Sequence, residues 1–271
     1  MKIGLSLAID RSGGGPSGPV YDVDAAALFA RMSSQPDAAH KGYINTAIVA
    51  LKSAGIWALR DAIWVPAVPT VQAATLNWKQ NLYNLTPVVA PTFTADRGYT
   101  GDGATTYLSS GLIPGAGGLN YVQNSANVSV YVRNAFIGGN LYDLGVYDGA
   151  AGTLVGPLAG NQIQLDLNDA LSATGIAAGT LPGMYSADRS VSTTIAKYKN
   201  GALLGSEAVV STTPAGIHDF YILTANAQGT PTGFSPDNVA YVAVGGSLGA
   251  TKIGQEYSIM QAYMTSIGAN V

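Results

Sequence analysis

The spacing of apolar residues changes partway along this chain of 271 residues. Between residues 21 and 65 apolar side chains recur every three or four positions, as Ile44, Ile48 and Leu51 do, which is the period of an amphipathic helix. From residue 75 onward they alternate with polar residues, which is the period of a β-strand. The pattern therefore predicts a small helical region, residues 21–74, followed by a β domain, residues 75–271.

The helical region carries recognisable signals for helix starts and ends. The early acids of DVDAAALFARM suit the first turn of a helix, because a helix N-terminus carries partial positive charge. A second helix is predicted to follow Pro36 and to end near Gly55, a residue type that often terminates helices. The stretch IWALRDAIW is predicted to add one or two helical turns before Pro66. The apolar face of this helical hairpin is too small for independent stability, so we expect it to pack on the β domain or on a neighbouring subunit.

The β domain contains many short strand-like runs separated by turns. In NVSVYVRN, the residues Val128, Val130 and Val132 fall on one face, which predicts a half-buried strand. The dipeptide Asn200-Gly201 separates two strand-like runs and is the strongest short-range signal for a β-hairpin. We expect roughly ten or more strands in a two-sheet sandwich, because nothing in this region alternates strand and helix as a parallel α/β fold does.

A helix is predicted to close the β domain at the C-terminus. In GQEYSIMQAYMTSIGANV, the residues Met260, Tyr263 and Met264 share one face, and Gly268 marks the end of the helix. We expect this helix to cover an edge or an end of the sandwich, because open strand edges invite aggregation.

The N-terminal residues 1–20 are predicted to form an extended arm. The apolar run Ile3–Ile9 is short for a signal peptide and is followed at once by Asp10 and Arg11, so we interpret it as a docking strand. The stretch Ser12–Pro19 is rich in glycine, serine and proline and predicts a linker between this strand and the helical region.

Composition narrows the range of partners. Only 11% of the residues are charged and the net charge is −3, against about 25% charged residues in ordinary soluble domains. Such a surface suits a subunit that buries area against copies of itself, so we expect a homo-oligomer, with a trimer as the expected state. No cluster of Lys and Arg indicates a nucleic-acid partner. No apolar run approaches the roughly 18 residues of a membrane-spanning helix.

The sequence offers few candidates for metal binding or nucleophilic catalysis. It contains no cysteine and only two histidines, His40 and His218, and no G-x-S-x-G motif accompanies them. Asp96 and Asp102 in the stretch FTADRGYTGDGATTYLSSGL offer oxygen ligands for calcium, but they lack the ladder of acids of an EF-hand loop. We interpret the Gly-Asp-Gly at its centre as a turn between two strands.

Paired carboxylates, which glycoside hydrolysis requires, are not evident from spacing. The chain has two glutamates, Glu207 and Glu256, in separate regions. Asp166 and Asp169 are three positions apart, which predicts opposite faces of a strand. We therefore predict that the protein is not an enzyme, expect no cofactor, and assign no catalytic, cofactor-binding or metal-binding residue. Carboxylates brought together from separate strands keep a glycan hydrolase or lyase open as an alternative.

Four segments in order resemble concanavalin A-like and laminin-G-like jelly-roll domains. They are GYTGDGATTYLSSGL, which is similar to the opening F-x-G-x-G-x-x-Y-L of such domains, NVSVYVRN, IAKYKNGALLGSE, and VAYVAVGGSLGA with the helix that follows it. The resemblance covers about residues 93–271. It implies a mainly β fold, a concanavalin A-like jelly-roll sandwich, to which the pattern adds a small N-terminal helical region, an extended N-terminal arm and a C-terminal helix.

The preceding segment, YINTAIVALKSAGIWALRDAIWV followed by LNWKQNLYNLTPVVAPTFTADRGYTGDG, resembles virion proteins of phages and prophages described as tail-fibre or minor structural proteins. The resemblance implies a structural component of a tailed-phage virion, docked to other virion proteins through its N-terminal arm and contributing to attachment to a host-surface glycan. A carbohydrate-binding module not fixed to a virion is the alternative. In that alternative, loop tyrosines stack on sugar rings, and the candidates are Tyr99, Tyr107, Tyr142 and Tyr147.

Overall fold

The computed structural model describes residues 19–134, 139–149, 151–171, 175–180 and 182–271. The N-terminal arm predicted for residues 1–20 therefore lies, up to residue 18, outside the described residues. The helices are α1 (Val23–Arg31), α2 (Ala38–Ser53) and α3 (Gly249–Ser266). The strands are β1 (Arg60–Trp64), β2 (Thr86–Val88), β3 (Thr92–Thr94), β4 (Gly98–Thr100), β5 (Tyr107–Ser109), β6 (Ala126–Val132), β7 (Leu144–Asp148), β8 (Ala151–Leu158), β9 (Gln162–Asp169), β10 (Gly175–Ala177), β11 (Gly183–Val191), β12 (Thr194–Lys199), β13 (Ala202–Ala208), β14 (Tyr221–Ile222), β15 (Ala225–Ala227), β16 (Thr230–Thr232) and β17 (Asn238–Gly245).

The strands form two sheets that face each other across an apolar core, which confirms the predicted mainly β jelly-roll sandwich. The first sheet has the order β13-β12-β11-β6-β17-β4-β3, with β1 also paired to β17. The second sheet has the order β10-β9-β8-β7-β14-β5-β2, with β15 and β16 added beside β7. Almost all pairs are antiparallel, and β9 lies against β6 and β11 of the opposite sheet.

The local signals for turns and helix ends are confirmed. Asp22 and Asp37 cap α1 and α2 by accepting backbone N–H groups of their first turns. Gly55 and Gly268 follow α2 and α3 with positive φ, the backbone conformation that glycine adopts most readily. Asn200-Gly201 joins β12 to β13 with positive φ at both residues, as a two-residue hairpin turn requires.

The helical prediction for residues 57–64 is wrong. Trp57–Leu59 form one 3-10 turn, and Arg60–Trp64 then form strand β1. This strand pairs with β17, with Ile63 opposite Ala243 and Trp64 opposite Val242. Pairing with a strand about 180 residues away satisfies the backbone groups that a helix would have satisfied locally, so the distant partner decides the structure of this short segment.

Strand β6 is buried on both faces, not half-buried as predicted. Val128 and Val130 belong to the apolar core, whereas Ser129 lies on the opposite face and donates a hydrogen bond to Glu256 of α3. Helix α3 therefore covers a face of the first sheet. The prediction that it covers an edge or an end of the sandwich is corrected, because the polar groups it contacts lie on central strands.

A buried ion pair attaches α3 to this sheet. The Arg60 guanidinium on β1 contacts the Glu256 carboxylate at 2.5 Å, and both side chains are fully buried. Tyr241 on β17 and Ser129 on β6 each donate a hydrogen bond of 2.8 Å to the same carboxylate. The pair thus connects the helix to three strands. Among the described residues, no helix combines the length and the apolar character needed to cross a membrane.

Candidate functional site

Aromatic side chains collect on the outer side of the second sheet. In β5, β14 and β7 the residues Leu108, Ile222 and Val146 face the apolar core. Because successive side chains of a strand point to opposite faces, their neighbours Tyr107, Tyr221 and Tyr147 lie on the outer side. All three tyrosines are partly exposed. The strand periodicity that fills the core thus also places a line of rings on the surface.

Tyr107, Tyr221 and Phe234 pack ring against ring, and two further tyrosines lie near them. The ring centroids of Tyr107 and Tyr221 are 4.6 Å apart with an interplanar angle of 33°, and those of Tyr107 and Phe234 are 6.3 Å apart. Phe234 forms an isolated β-bridge with Tyr142. Tyr142 and Tyr147 interact electrostatically, which contributes to a raised pKa of Tyr142 after the larger effect of burial. We call the five residues Tyr107, Tyr142, Tyr147, Tyr221 and Phe234 the aromatic face.

A buried carboxylate lies on the same side of the sheet. The strand register runs from Tyr221 to Gly145, then to Leu154 and to Asp166, so Asp166 lies three strands away from Tyr221. With strands roughly 4.8 Å apart, this row spans about 14 Å. The Asp166 side chain is fully buried, and its Oδ1 has no hydrogen-bond partner in the described structure.

Burial raises the pKa of Asp166 to about 7, and the charge of Asp169 contributes in the same direction. The prediction that these two acids lie on opposite faces is wrong, because a register shift at Gly152 places Asp169 on the same face as Asp166. Gln164 on the same face donates a hydrogen bond to Asp166 Oδ2, which partly opposes the rise in pKa. Asp166 also influences the pKa of Tyr142, so the two side chains are close enough to interact. Near neutral pH this carboxyl can therefore either donate or accept a hydrogen bond.

Two further acids lie near the aromatic face. Asp219, two residues before Tyr221, accepts hydrogen bonds of 2.7 Å from Ser109 Oγ and from the backbone N–H of Gly111. Asp148 ends β7 beside Tyr147 and pairs with His218 Nδ1. The hydrogen bonds from His218 and from backbone N–H groups outweigh partial burial and lower the pKa of Asp148.

The structure separates the four tyrosines that the sequence proposes for sugar stacking. Tyr107, Tyr142 and Tyr147 belong to the aromatic face. Tyr99 does not, because its side chain is only 1% exposed and its hydroxyl donates to the carbonyl of Val71. Sequence reasoning also missed Tyr221 and Phe234. The alternation in DFYIL indicates that Tyr221 and Ile222 lie on opposite faces, but it does not show which of the two faces the core.

The stretch around Gly-Asp-Gly is a turn, as interpreted from the sequence. The Asp102 carboxylate accepts backbone N–H groups of Ala104, Thr105 and Thr106, and the hydroxyl of Thr105. These donors hold the pKa of Asp102 well below its usual value. Asp96 instead contacts His40. In the described part of the chain, no three His, Asp or Glu side chains come together in an arrangement that could hold a metal ion.

The two glutamates considered for catalysis, and the buried Asp143, occupy structural positions. Glu256 pairs with Arg60 beneath α3, and Glu207 on β13 pairs with Lys197 at 2.6 Å. Asp143 is buried and accepts a hydrogen bond from Ser235, and burial followed by the nearby charge of Asp237 raises its pKa well above the ordinary value. Each of the two glutamates is thus neutralised by a cation within the fold.

A separate cavity lies between α2 and α3. Its volume is about 310 Å³, and it is lined mainly by small or apolar residues such as Ala47, Ala50, Ile259 and Ala262. No carboxylate, histidine, lysine or arginine lines it. The residues that line it therefore carry no side-chain charge for ionic contacts.

Comparison with known proteins supports the fold. No protein-family model matches the chain, and the search of curated proteins gives no significant match. Among solved structures, the chain is similar to botulinum neurotoxin type C, whose invasion of cells depends on interaction with two ganglioside molecules. The TM-score is 0.53 and the sequence identity is 10%, and the match covers 77% of this chain and 53% of that one. It is also similar to the binding domain of botulinum neurotoxin serotype D, with TM-score 0.50, 10% identity and coverage of 75% and 52%. The chain thus spans about half the length of each of these two solved chains, and at this identity the likeness concerns the fold alone.

Proposed function

We propose that this protein is a non-catalytic β-sandwich that binds a cell-surface glycan through its aromatic face. The observation that carries the proposal is the group of five partly exposed rings beside the partly exposed acid Asp219. Flat rings present large apolar areas at little cost in conformational entropy, and nearby polar groups can hydrogen-bond sugar hydroxyls. The fold it shares with a toxin whose invasion of cells depends on ganglioside molecules supports a glycan as the ligand class.

The positions of the acidic side chains favour glycan binding over glycan cleavage. The hydrolase alternative needs two carboxylates across one sugar. Both glutamates are held in ion pairs with Arg60 and Lys197 on the first sheet, whereas the aromatic face belongs to the second sheet. Asp166 and Asp169, which lie on the same side as the aromatic face, are fully buried. A reducing-sugar assay on host polysaccharide should therefore show no release of sugar.

Tyrosine substitutions test the aromatic face directly. Tyr221→Ala removes the ring that lies 4.6 Å from Tyr107, and we expect it to weaken glycan binding about two- to tenfold, since an aromatic contact is worth about 0.5–1.5 kcal/mol. Tyr43→Ala is a matched control, because Tyr43 is also partly exposed but lies on α2. Binding is measured on an array of bacterial surface glycans. Equal binding by the wild-type protein and the Tyr221→Ala variant would contradict the proposal.

The setting that we propose for this activity is the surface of a tailed-phage particle. Its support is the resemblance of the segment from residue 43 to 103 to phage virion proteins, together with the docking strand predicted at Ile3–Ile9. Deletion of residues 1–20 should leave the purified protein able to bind glycan but unable to join the particle. Full incorporation of the shortened chain into particles would refute the docking role of the arm.

A further inference from the structure

The second sheet differs from the rest of the molecule in its charge. The chain has 13 lysines and arginines, yet the segments 80–96, 98–132, 134–188 and 200–251, which contain every described strand of the second sheet, have none. The cations of the described chain lie instead on the helices, on the first sheet and on the segments beside them. Any ionic contact from this sheet to a ligand must therefore come from acids or from His218.

The acids near the aromatic face are fixed in position. Asp219 is held by Ser109 and Gly111, and Asp148 by His218 and by the backbone N–H of Ile217. Asp166 lies in the strand row that begins at Tyr221, but it is fully buried and does not contact a ligand. Carboxylate oxygens accept hydrogen bonds from hydroxyl and ammonium groups, whereas they repel a ligand carboxylate or sulfate.

Recognition of an anionic sugar ordinarily uses the opposite chemistry. Arginine and lysine provide charge-assisted hydrogen bonds to carboxylate, phosphate and sulfate groups. The aromatic face has no such side chain on its own sheet, and a negative ligand there would lie among like charges.

From this distribution, and resting on the proposed glycan binding, we infer that the aromatic face selects uncharged glycans and rejects those carrying carboxylate or sulfate groups. Rings supply the contact area, and the partly exposed acids Asp148 and Asp219 accept hydrogen bonds from sugar hydroxyls. The ligand class is thus narrower than the fold alone indicates. Selectivity arises from a missing cation as much as from the groups that are present.

Matched oligosaccharides test the inference. The full chain is titrated at one salt concentration with neutral oligosaccharides and with the same oligosaccharides bearing one terminal sialic acid or one sulfate. We expect at least tenfold weaker binding of each anionic form. Because surface electrostatics are screened by salt, the difference should shrink when the salt concentration is raised.

A charge variant makes the test specific. Asn140 is exposed, and its carbonyl lies near Gly233, against which the Tyr142 ring packs. Asn140→Lys should improve binding of the anionic forms several-fold without weakening that of the neutral forms. Asn140→Gln is the control, since it changes the same backbone position without adding charge.

The outcomes separate the two proposals. If the anionic forms bind as tightly as the neutral forms, charge selectivity is wrong and glycan binding stands. If no oligosaccharide of either kind binds while an intact fold is verified by circular dichroism, the proposed function fails and the selectivity fails with it.

Discussion

At the level of single residues, His40 couples the helical region to the sandwich. Its Nδ1 lies 2.9 Å from Asp37 Oδ1 at the start of α2, and its Nε2 lies 3.3 Å from Asp96 Oδ2 in the turn between β3 and β4. Partial burial opposes the charged imidazolium, but the hydrogen bond and charge of Asp37 and the charge of Asp96 outweigh it and raise the pKa of His40.

The raised pKa of His40 means that the protonated imidazole stabilises the folded state. His40 binds its proton more tightly in the folded state than in the unfolded chain, so its contribution is fully present below the unfolded pKa of about 6.5 and is lost as pH rises through the folded pKa. We expect His40→Gln to lower the free energy of unfolding by about 0.5–1 kcal/mol at pH 5.5 and by much less at pH 9. Urea titrations at the two pH values measure this. A larger loss at pH 9 than at pH 5.5 would show that the imidazolium is not the stabilising form.

The same scale shows what the sequence cannot decide about the candidate site. Alternation along β5 and β14 predicts that Tyr107 and Leu108, or Tyr221 and Ile222, lie on opposite faces. Each pair consists of two apolar residues, so hydrophobicity alone does not indicate which member faces the core. Tyr99 shows this ambiguity. Like Tyr107 it is a tyrosine in a short strand, but its ring is buried.

At the level of elements, the turn of the hairpin between β12 and β13 packs against α3. Gly201 has φ of +76°, and a Cβ added there would meet Gly254 Cα of α3 at 2.9 Å. Gly160 provides a matched control, since its φ is +75° and nothing lies within 4 Å of an added Cβ. Both substitutions to alanine carry the cost of a left-handed conformation, about 1–2 kcal/mol.

Gly201→Ala should destabilise the protein by about 1–3 kcal/mol more than Gly160→Ala, because only the former forces α3 away from the hairpin. The difference in free energy of unfolding between the two variants isolates the contact with the helix. Equal losses would mean that α3 does not press on this turn.

Helix α3 also depends on the Arg60–Glu256 pair. Glu256→Gln keeps the shape of the side chain but leaves a fully buried guanidinium without its counter-charge. We expect a loss of about 3–5 kcal/mol in the free energy of unfolding, as for other buried pairs that lose one partner. Asp24→Asn, which removes one partner of the partly exposed Lys52, should cost at most about 1 kcal/mol. Comparable losses in urea unfolding would show that Glu256 is not the anchor of the helix.

At the level of the whole molecule, the sequence predicted the architecture well and its long-range connections poorly. The two helices before residue 55, the hairpin at Asn200-Gly201 and the closing helix follow from local periodicity and turn chemistry. Strand β1 and the position of α3 on the first sheet do not follow from local signals, because both are fixed by partners that are distant in sequence. A short segment such as Arg60–Trp64 fits a helix or a strand equally well until its partner is known.

The position of β1 bears on the predicted boundary at residues 74 and 75. A chain of residues 75–271 would lack Arg60 and Trp64, expose the edge of β17 from Val242 to Gly245, and leave the Glu256 carboxylate buried without its cation. We expect this chain to aggregate or to unfold without a cooperative transition, whereas residues 19–271, which keep β1 and both N-terminal helices, should unfold cooperatively. Thermal and urea unfolding followed by circular dichroism compare the two chains. A cooperative transition of the shorter chain at a similar midpoint would establish residues 75–271 as an independent domain, and it would reduce β1 to a peripheral strand.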